Sequence, residues 1–515
     1  MKALFSVSDK SGIEVLAKAV INYGFSIISS GGTYAYLKDR NLDVQEVSKY
    51  TKSPELLEGR VKTLHPKIHA GILAKRKDLF HLSQLKQKNI DEINLVVVNL
   101  YPFVEKVNSK ESEENIIENI DIGGPTLIRS AAKNFKDVII VVDPDDYNWV
   151  AEKIMKHEKG EDNNNILSYD ERRTLARKAF QHVANYDAAI SRYFSSSEDQ
   201  YTSDQSSFGY EKLLNLRYGE NPHQNASLYK DPLNNSGIAN SSQLNGKELS
   251  FNNILDADAA WNIVSEFSDS AVAIIKHGNP CGFSVNQDQL TSYKLAYLGD
   301  TVSAYGGIVA FNTEVKAETA SNMMEIFYEV VIAPSYTIKA LDILKSKKNL
   351  RILQMPNQKN GKITMPDIKV ISGGALIQGF DVLDQNPSEW NFVTKLKPNN
   401  KELIDLKIAW KIVKHIKSNG IVLVKDNSLI GMGAGQPNRL NSINLALNTA
   451  GEKSQGSVLA SDAFFPYRDN VDLALSGGVS SIIQPGGSIR DKEVINASDE
   501  AQISMVFTGN RHFKH

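Results

Sequence analysis

KALFSVSDKSGIEVLAKAVINYGFSIISSGGTYAYLKDRN (Lys2–Asn41) is the stretch that decides the fold class. Lys2 to Val7 reads as a strand. After the loop SVSDKSG, the apolar residues Ile13, Leu16, Ala17, Val20 and Ile21 recur at helical spacing, and Gly24 stands where a C-terminal cap belongs. A second apolar run, Phe25 to Ile28, meets SSGGT (Ser29–Thr33), and the helical pattern AYLKDRN follows. Strand, helix, strand, loop, helix is the opening of a parallel α/β sheet with helices on its faces. Leu95–Leu100 and Val138–Val142 are continuous apolar runs, as expected of strands covered on both sides, and Tyr169–Phe194 reads as a helix.

Working outward, Ser195–Ser207 (SSSEDQYTSDQSS) has no periodicity that could bury a face, and the main boundary is expected there. This divides the chain into 1–197 and 208–515 with a polar linker at 198–207. At 515 residues and roughly 150 per domain, about three structural units are expected. In the second part strand-like runs recur at Ala271–Ile275, Ile308–Phe311, Val330–Ala333, Ile421–Val424 and Ile503–Phe507, with helical segments between them. Two of them, AVAIIKHGNP and GIVLVKDNSL, each close an apolar strand on a lysine, which hints at a duplicated half.

Lys and Arg number 58 against 60 Asp and Glu, so the global balance favours neither nucleic acid nor an anionic membrane surface, and any anion must be held locally. The apolar run at the start is too short for a signal segment, and no stretch approaches the roughly 18 apolar residues of a membrane span; a cytoplasmic protein is expected. Cys281 is the single cysteine, which rules out an internal disulfide and any multi-cysteine zinc site. PCG after His277 imitates half of a zinc deaminase signature, but the second cysteine it needs does not exist.

Two Ser/Gly-rich loops end consecutive strands and each opens a helix. Free N–H groups there, with Ser6, Ser8, Ser30, Thr33 and Lys10, could hold a phosphate; the plain alternative is ordinary N-capping. GRVKTLHPKIHAGILA (Gly59–Ala74) gathers Arg60, Lys62, His65, Lys67 and His69 around a proline, which reads as a basic loop. A zinc reading of His65 and His69 needs both on one helical face, which Pro66 undermines, and no metal is expected. NIDIGGPTLIRSAAKN (Asn119–Asn134) adds Asp121 and Lys133, and NLYPF adds Tyr101. Phosphate anchors, two amines and a carboxylate suit acid–base chemistry on an anionic small molecule.

In the second part AIIKHGNPCG (Ala273–Gly282) sets Lys276 and His277 at a strand end entering a Gly/Pro loop, a base tunable towards neutrality beside a cation, or simply a strand-terminal lysine with a surface histidine. A Cys281–His277 nucleophile is only weakly suggested. GMGAGQ (Gly431–Gln436) imitates a dinucleotide fingerprint but lacks the third glycine and meets Pro437; it reads as a tight substrate-facing loop. SDAFFPYRDN (Ser461–Asn470) sets aromatics beside charges, suited to a flat heteroaromatic ligand or to core packing, and QPGGSIRD (Gln484–Asp491) is a glycine turn.

These motifs, in this order and over essentially the whole chain, resemble the bifunctional AICAR transformylase/IMP cyclohydrolase family. SVSDK, SGGT, GRVKTLHP, NLYPF, NIDIGG and AAKN resemble its cyclohydrolase part; LRYGENPHQ, KHGNPCG, SAYGG, GAGQ, SDAFFPYRDN and FTGNRHFKH resemble its transformylase part. The resemblance implies a methylglyoxal-synthase-like, Rossmann-type N-terminal domain and a C-terminal region of two cytidine-deaminase-like α/β subdomains. It further implies a homodimer with formylation sites at the interface, 10-formyltetrahydrofolate as co-substrate, and AICAR, FAICAR and IMP as ligands. By the same resemblance Ser8, Asp9, Lys10, Ser30, Gly31, Gly32, Thr33, Arg60, Val61, Thr63, Asn99 and Asp121 bind the cyclohydrolase nucleotide. Lys133 matches the proton donor/acceptor, with Lys62 and Tyr101 beside the reacting carboxamide. In the transformylase, His277 matches the general base and Lys276 its cationic partner. Arg217, Tyr218, Asn253, Gly306, Glu329, Asp426 and Arg511 match substrate contacts, and Phe464, Asp469, Ser488 and Ile489 the folate side. Glu329 and Asp426 stand where some members carry Asp and Asn.

Overall fold

The computed structural model describes residues 1–54, 56–158, 166–195, 201, 203–356 and 366–515. The chain forms two compact units, residues 1–210 with 231–233, and 211–230 with 234–515. Of the segment read as a linker, residues 198–200 and 202 lie outside the described residues.

The first unit is built on five strands, β1 (Lys2–Ser6), β2 (Ser26–Ser29), β3 (Val44–Glu46), β4 (Ile93–Val98) and β5 (Ile139–Val141). They lie in the order β3-β2-β1-β4-β5, all pairs parallel. The order reverses at β1, so the carboxyl ends of β1, β2 and β4 open onto the crevice where doubly wound sheets place ligands. The helix Ile13–Tyr23 buries Ile13, Leu16, Ala17 and Val20, the periodic positions, and ends at Gly24 in the left-handed conformation, φ 113°. The helix Tyr169–Phe194 has the expected bounds and starts on a capping box between Ser168 and Glu171.

The second unit opens with a separate hairpin, β6 (Glu211–Leu216) and β7 (Ala226–Lys230). Its main sheet has twelve strands. The first half comprises β8 (Ser242–Asn245), β9 (Ser270–Lys276), β10 (Asn279–Asn286), β11 (Ile308–Phe311), β12 (Val330–Ala333) and β13 (Arg351–Gln354). A second separate hairpin, β14 (Asp367–Ile371) and β15 (Gly374–Gln378), precedes the other half. That half comprises β16 (Asn391–Phe392), β17 (Ile421–Lys425), β18 (Ser428–Gly433), β19 (Val458–Ser461), β20 (Ser481–Gln484) and β21 (Ser504–Phe507). The order is β16-β21-β20-β19-β17-β18-β10-β9-β11-β12-β13-β8, so each half repeats the other about the β18–β10 junction, where Ser284 pairs with Ser428. The hint from the two lysine-ended strands, β9 and β17, extends to the whole unit.

Strand directions place the ends. β9 is antiparallel to β10 and β11, β10 to β18, and β17 to β18 and β19, while β11–β13 and β19–β21 are each parallel. The end of β9, the starts of β10 to β13 and of β17, and the ends of β18 to β21 therefore share one edge.

Two loop readings are corrected. Asn279–Gly282 is not a Gly/Pro loop but the start of β10, with Pro280 accommodated at a register shift between Pro280 and Gly282. Gly431 and Gly433 are strand residues of β18, not a loop. Helix backbone crosses them so closely that an added Cβ would stand 2.2 Å from the Ala446 carbonyl and 2.0 Å from that of Ser442. Gly282 meets Ala296 the same way at 2.0 Å, so these glycines mark repeated helix–sheet contacts. Among the described residues no helix is long and apolar enough to cross a membrane.

Candidate functional sites

In the first unit the carboxyl ends of β1, β2 and β4 are tied into one platform. The Asn99 side-chain oxygen accepts the N–H groups of Ser8 (2.6 Å) and Asp9 (2.9 Å), and its amide donates to the Asp9 carbonyl. The Thr33 hydroxyl accepts from Val7 N–H and donates to the Val7 carbonyl, both at 2.9 Å, and the hydroxyls of Ser6 and Ser30 meet at 3.2 Å. Ser30 opens the helix Gly31–Lys38 without capping it by its side chain. Over that helix start stand two lysines: a Cβ on Gly31 would meet Lys62 Nζ at 2.9 Å, and one on Gly32 would meet Lys10 Nζ at 3.7 Å. Free helix N–H groups between two ammonium groups form an anion cradle.

The opposite wall is the turn at Asp121. Its carboxylate accepts Gly124 N–H at 2.7 Å, and its own N–H donates to the Tyr186 hydroxyl at 2.8 Å. Burial pushes the Asp121 carboxyl up, against the Gly124 and Tyr101 amides and the Lys62 charge. Burial, then the Asp121 and Glu118 charges, pushes the Tyr101 phenol up. Gly123 approaches Thr63 closely, a Cβ there standing 2.5 Å from its hydroxyl, which brings the Arg60–Thr63 segment to the same place. Arg60 itself pairs with Glu118, and Val61 is half-buried between them in sequence. Lys133 is exposed on the last residue of the helix Gly123–Lys133, ten residues or about 15 Å along from Gly123. Thus Lys62, Tyr101 and Asp121 are brought together, and Lys133 stands further off. His65 caps the helix Pro66–Leu73 through Lys67 N–H, whereas His69 faces the Ser130 hydroxyl at 3.2 Å.

In the second unit Lys276 pairs with Asn279, leaving His277 and Gly278 as a two-residue turn with φ 54° and 73°. Both positive angles mark the primed hairpin turn. Lys276 Nζ donates to the Tyr305 carbonyl at 2.7 Å; His277 is exposed. Gly306 N–H donates to the Phe327 carbonyl at 2.8 Å, and Glu329, at the start of β12, pairs with Arg351 at 2.6 Å. Asn253 lies one helical turn before Asp256, whose carboxylate takes the His277 and Gly278 N–H groups, and its side chain completes the capping box with Ser250. Cys281 is buried, and burial pushes its thiol up to about 12, the state of an inert thiol.

The same edge carries the other half's loops. Phe464 is exposed beyond β19, Asp469 starts the helix Asp469–Ser476, and Ser488 and Ile489 follow β20. Ser488 N–H is held by Asp491 at 3.0 Å, and the Ile489 side chain is fully exposed. Arg511 lies exposed on a C-terminal segment pinned on both sides: before it Gly509 N–H donates to the Pro485 carbonyl, and after it His512 N–H donates to the Asp462 carbonyl, the His512 ring meets Asp381 at 2.5 Å, and Lys514 N–H donates to the Ser418 hydroxyl. Arg217 and Tyr218 follow β6, outside the large sheet. Asp426 is the outlier. It sits in the β17–β18 turn, paired with Lys401 beside Ser284, at the opposite edge from His277. The sequence reading missed the buried Arg439, which reaches Asn419 (2.6 Å), Ser461 (2.7 Å) and Asp462 (2.5 Å) on the populated edge. Its only sequence signal is an arginine closing GAGQPNR.

Two lysines over a helix start beside Asp121 and Tyr101 in one unit, and in the other a Lys-His turn on the same sheet edge as aromatic and charged loops, belong to a two-part α/β protein. Family models agree. The MGS-like domain matches residues 12–126, and the AICARFT/IMPCHase bienzyme model matches residues 131–449. The chain belongs to the AICARFT/IMPCHase bienzyme family. Over an alignment 547 positions long, gaps included, it is 50% identical to the bifunctional purine biosynthesis protein purH of Dictyostelium discoideum, covering 100% of each chain. It is 48% identical to the bifunctional purine biosynthesis proteins PurH of Thermoanaerobacter sp. (strain X514) and Bacillus cereus (strain AH187), covering 100% of this chain and 99% of each relative.

Proposed function

We propose that the chain performs two consecutive steps of purine synthesis: formylation of AICAR by 10-formyltetrahydrofolate to FAICAR, then closure of FAICAR to IMP with loss of water. The observation that carries this reading is the full-length agreement with named bifunctional relatives, which spans both units rather than one.

The amine of AICAR is conjugated with an electron-poor imidazole carboxamide and is a poor nucleophile, so a base is needed. His277 takes its proton as the nitrogen attacks the formyl carbon. Lys276, held at the Tyr305 carbonyl, steadies the oxyanion, and as the tetrahedral intermediate collapses the leaving folate nitrogen takes up the proton that His277 removed. Closure follows in the first unit. The phosphate sits between Lys10 and Lys62 at the Gly31–Gly32 helix start, and the carboxamide nitrogen attacks the formyl carbon near Tyr101 and Asp121. The family resemblance gives the proton transfer as water departs to Lys133, whose ammonium would have to reach back towards Tyr101 from the end of the helix Gly123–Lys133. Asp426, at the far edge, is not used in this reading.

The loops at Phe464–Asp469 are four strand spacings, about 19 Å, from His277 within one chain. Together with apolar side chains exposed on the two separate hairpins, Leu213, Leu214 and Tyr229 on one and Val370 and Leu376 on the other, this supports a homodimer whose interface completes each formylation site. The setting is cytoplasmic.

The test is to mix purified protein with AICAR and 10-formyltetrahydrofolate, without added metal or nicotinamide, and to follow tetrahydrofolate and IMP separately. Both are expected. Tetrahydrofolate with accumulating FAICAR would confine the chemistry to the second unit, and neither product from folded protein would sink the proposal.

A further inference from the structure

We propose that Asp256 is a positioning residue for formylation: by taking both N–H groups of the His277–Gly278 turn, its carboxylate fixes where the imidazole stands. The inference rests on reading His277 as the base.

His277 N–H reaches one carboxylate oxygen at 3.1 Å and Gly278 N–H the other at 2.6 Å. The imidazole is exposed and its backbone is left-handed, a conformation uncommon outside glycine that the turn has to hold. The ring's location therefore follows the turn, and the turn follows Asp256. Two charge-assisted bonds from one rigid helix, Phe251–Val264, make the turn a fixture rather than a loop tip.

The duplicated half contains the same device without the base. Asp405, on the helix Asn400–Val413, takes Asp426 N–H at 3.1 Å and Asn427 N–H at 2.7 Å. That turn also has two positive φ angles, 52° and 61°, and follows Lys425, whose Nζ donates to the Gln455 carbonyl at 2.6 Å as Lys276 does to Tyr305. The clamp is thus inherited by both halves. Only the copy holding His277 stands on the edge with the other loops, so only there is it coupled to chemistry. Asp405 is an internal control for its structural part.

Asp256→Asn and Asp405→Asn each leave one turn N–H without an acceptor. In the full-length enzyme Asp256→Asn is expected to lower kcat for formylation about 10- to 100-fold, with KM for AICAR within about 3-fold. Cyclisation of supplied FAICAR stays unchanged and reports a folded first unit, while the retained KM for AICAR reports a folded second unit. Asp256→Glu, which keeps the carboxylate, recovers part of the rate. Asp405→Asn is expected to lower the thermal midpoint of the second unit comparably and to leave formylation intact. Equal kinetic losses in the two Asn variants, or none in either, would overturn the proposal, because the clamp would then be structural only. The base reading is separated by His277→Ala, which should cut formylation to a small, measurable residual rate rather than to none; full activity there would sink that reading whatever Asp256 does. On that residual rate Asp256→Asn should add nothing. The same fold loss with and without the imidazole would show that Asp256 acts on something else.

Discussion

Removing one hydroxyl, in Tyr186→Phe, separates the chemistry of the first unit from its packing. The Tyr186 ring is buried against Phe103, with ring centroids 6.2 Å apart, and Phe keeps that contact. The hydroxyl accepts Asp121 N–H at 2.8 Å and donates to the Asn119 carbonyl at 3.1 Å. Burial pushes this phenol up to about 12, so it remains a neutral donor through the physiological range. Without it, a part-buried N–H and a carbonyl on either side of Ile120 lose their partner, at about 1–3 kcal/mol for the unmet donor. Asp121, which fastens Gly124 and faces Tyr101 and Lys62, is then free to shift. A displacement of about 1 Å in such a site lowers the rate by about 100-fold. The assay follows IMP from supplied FAICAR and, in the same preparation, formylation of AICAR. Cyclisation is expected to fall about 10- to 100-fold while formylation holds. A variant that loses stability yet closes FAICAR at the parent rate would refute the claim that the Asp121 turn must be held by this phenol.

Gly31→Ala should weaken nucleotide binding in the first unit: φ is +48°, where a side chain costs about 1–2 kcal/mol, and the new methyl would stand 2.9 Å from Lys62 Nζ. A rise in KM for FAICAR is expected, and an unchanged value would remove Lys62 from the anion cradle. In the second unit burial alone would raise the Glu266 carboxyl, but His415 and Lys414, the latter at 2.7 Å, hold it below 4.5. A folded value below the unfolded one contributes stability that is present above 4.5 and lost as pH falls through the folded value. Urea midpoints should therefore separate the parent from Glu266→Gln most at pH 7 and converge in acid; a gap that does not close would show that the charge is not what the pair contributes.

What could be read from the sequence depended on whether a residue's environment is local. The helix Ile13–Tyr23 and the strands Ile308–Phe311 and Val330–Ala333 announce themselves because their apolar periodicity is imposed by the core they cover. β10 and β18 do not, because Gly282, Gly431 and Gly433 answer to helices that arrive later in the chain and leave no room for a side chain, and Pro280 sits at a register shift. Lys62 is offered as a candidate by the basic loop it lies in, and Asn99 by the family resemblance of the NLYPF motif it opens. Arg439 was not: its partners Asn419 and Asp462 come from other strand ends, and nothing in its neighbourhood marks it.

Strand direction finally decides which motifs can act together. Because β9 and β17 run antiparallel within the one twelve-stranded sheet, two turns alike in sequence and backbone are carried to opposite edges. The edge that receives His277 also receives Gly306, Glu329, Asp469, Ser488 and the loops following β19, β20 and β21. The edge that receives Asp426 has Lys401 and the start of β18. A duplicated sequence signal thus marks two geometrically equivalent turns, and only the antiparallel junction at Ser284 and Ser428, invisible in either repeat by itself, determines which of them shares an edge with the other candidate loops.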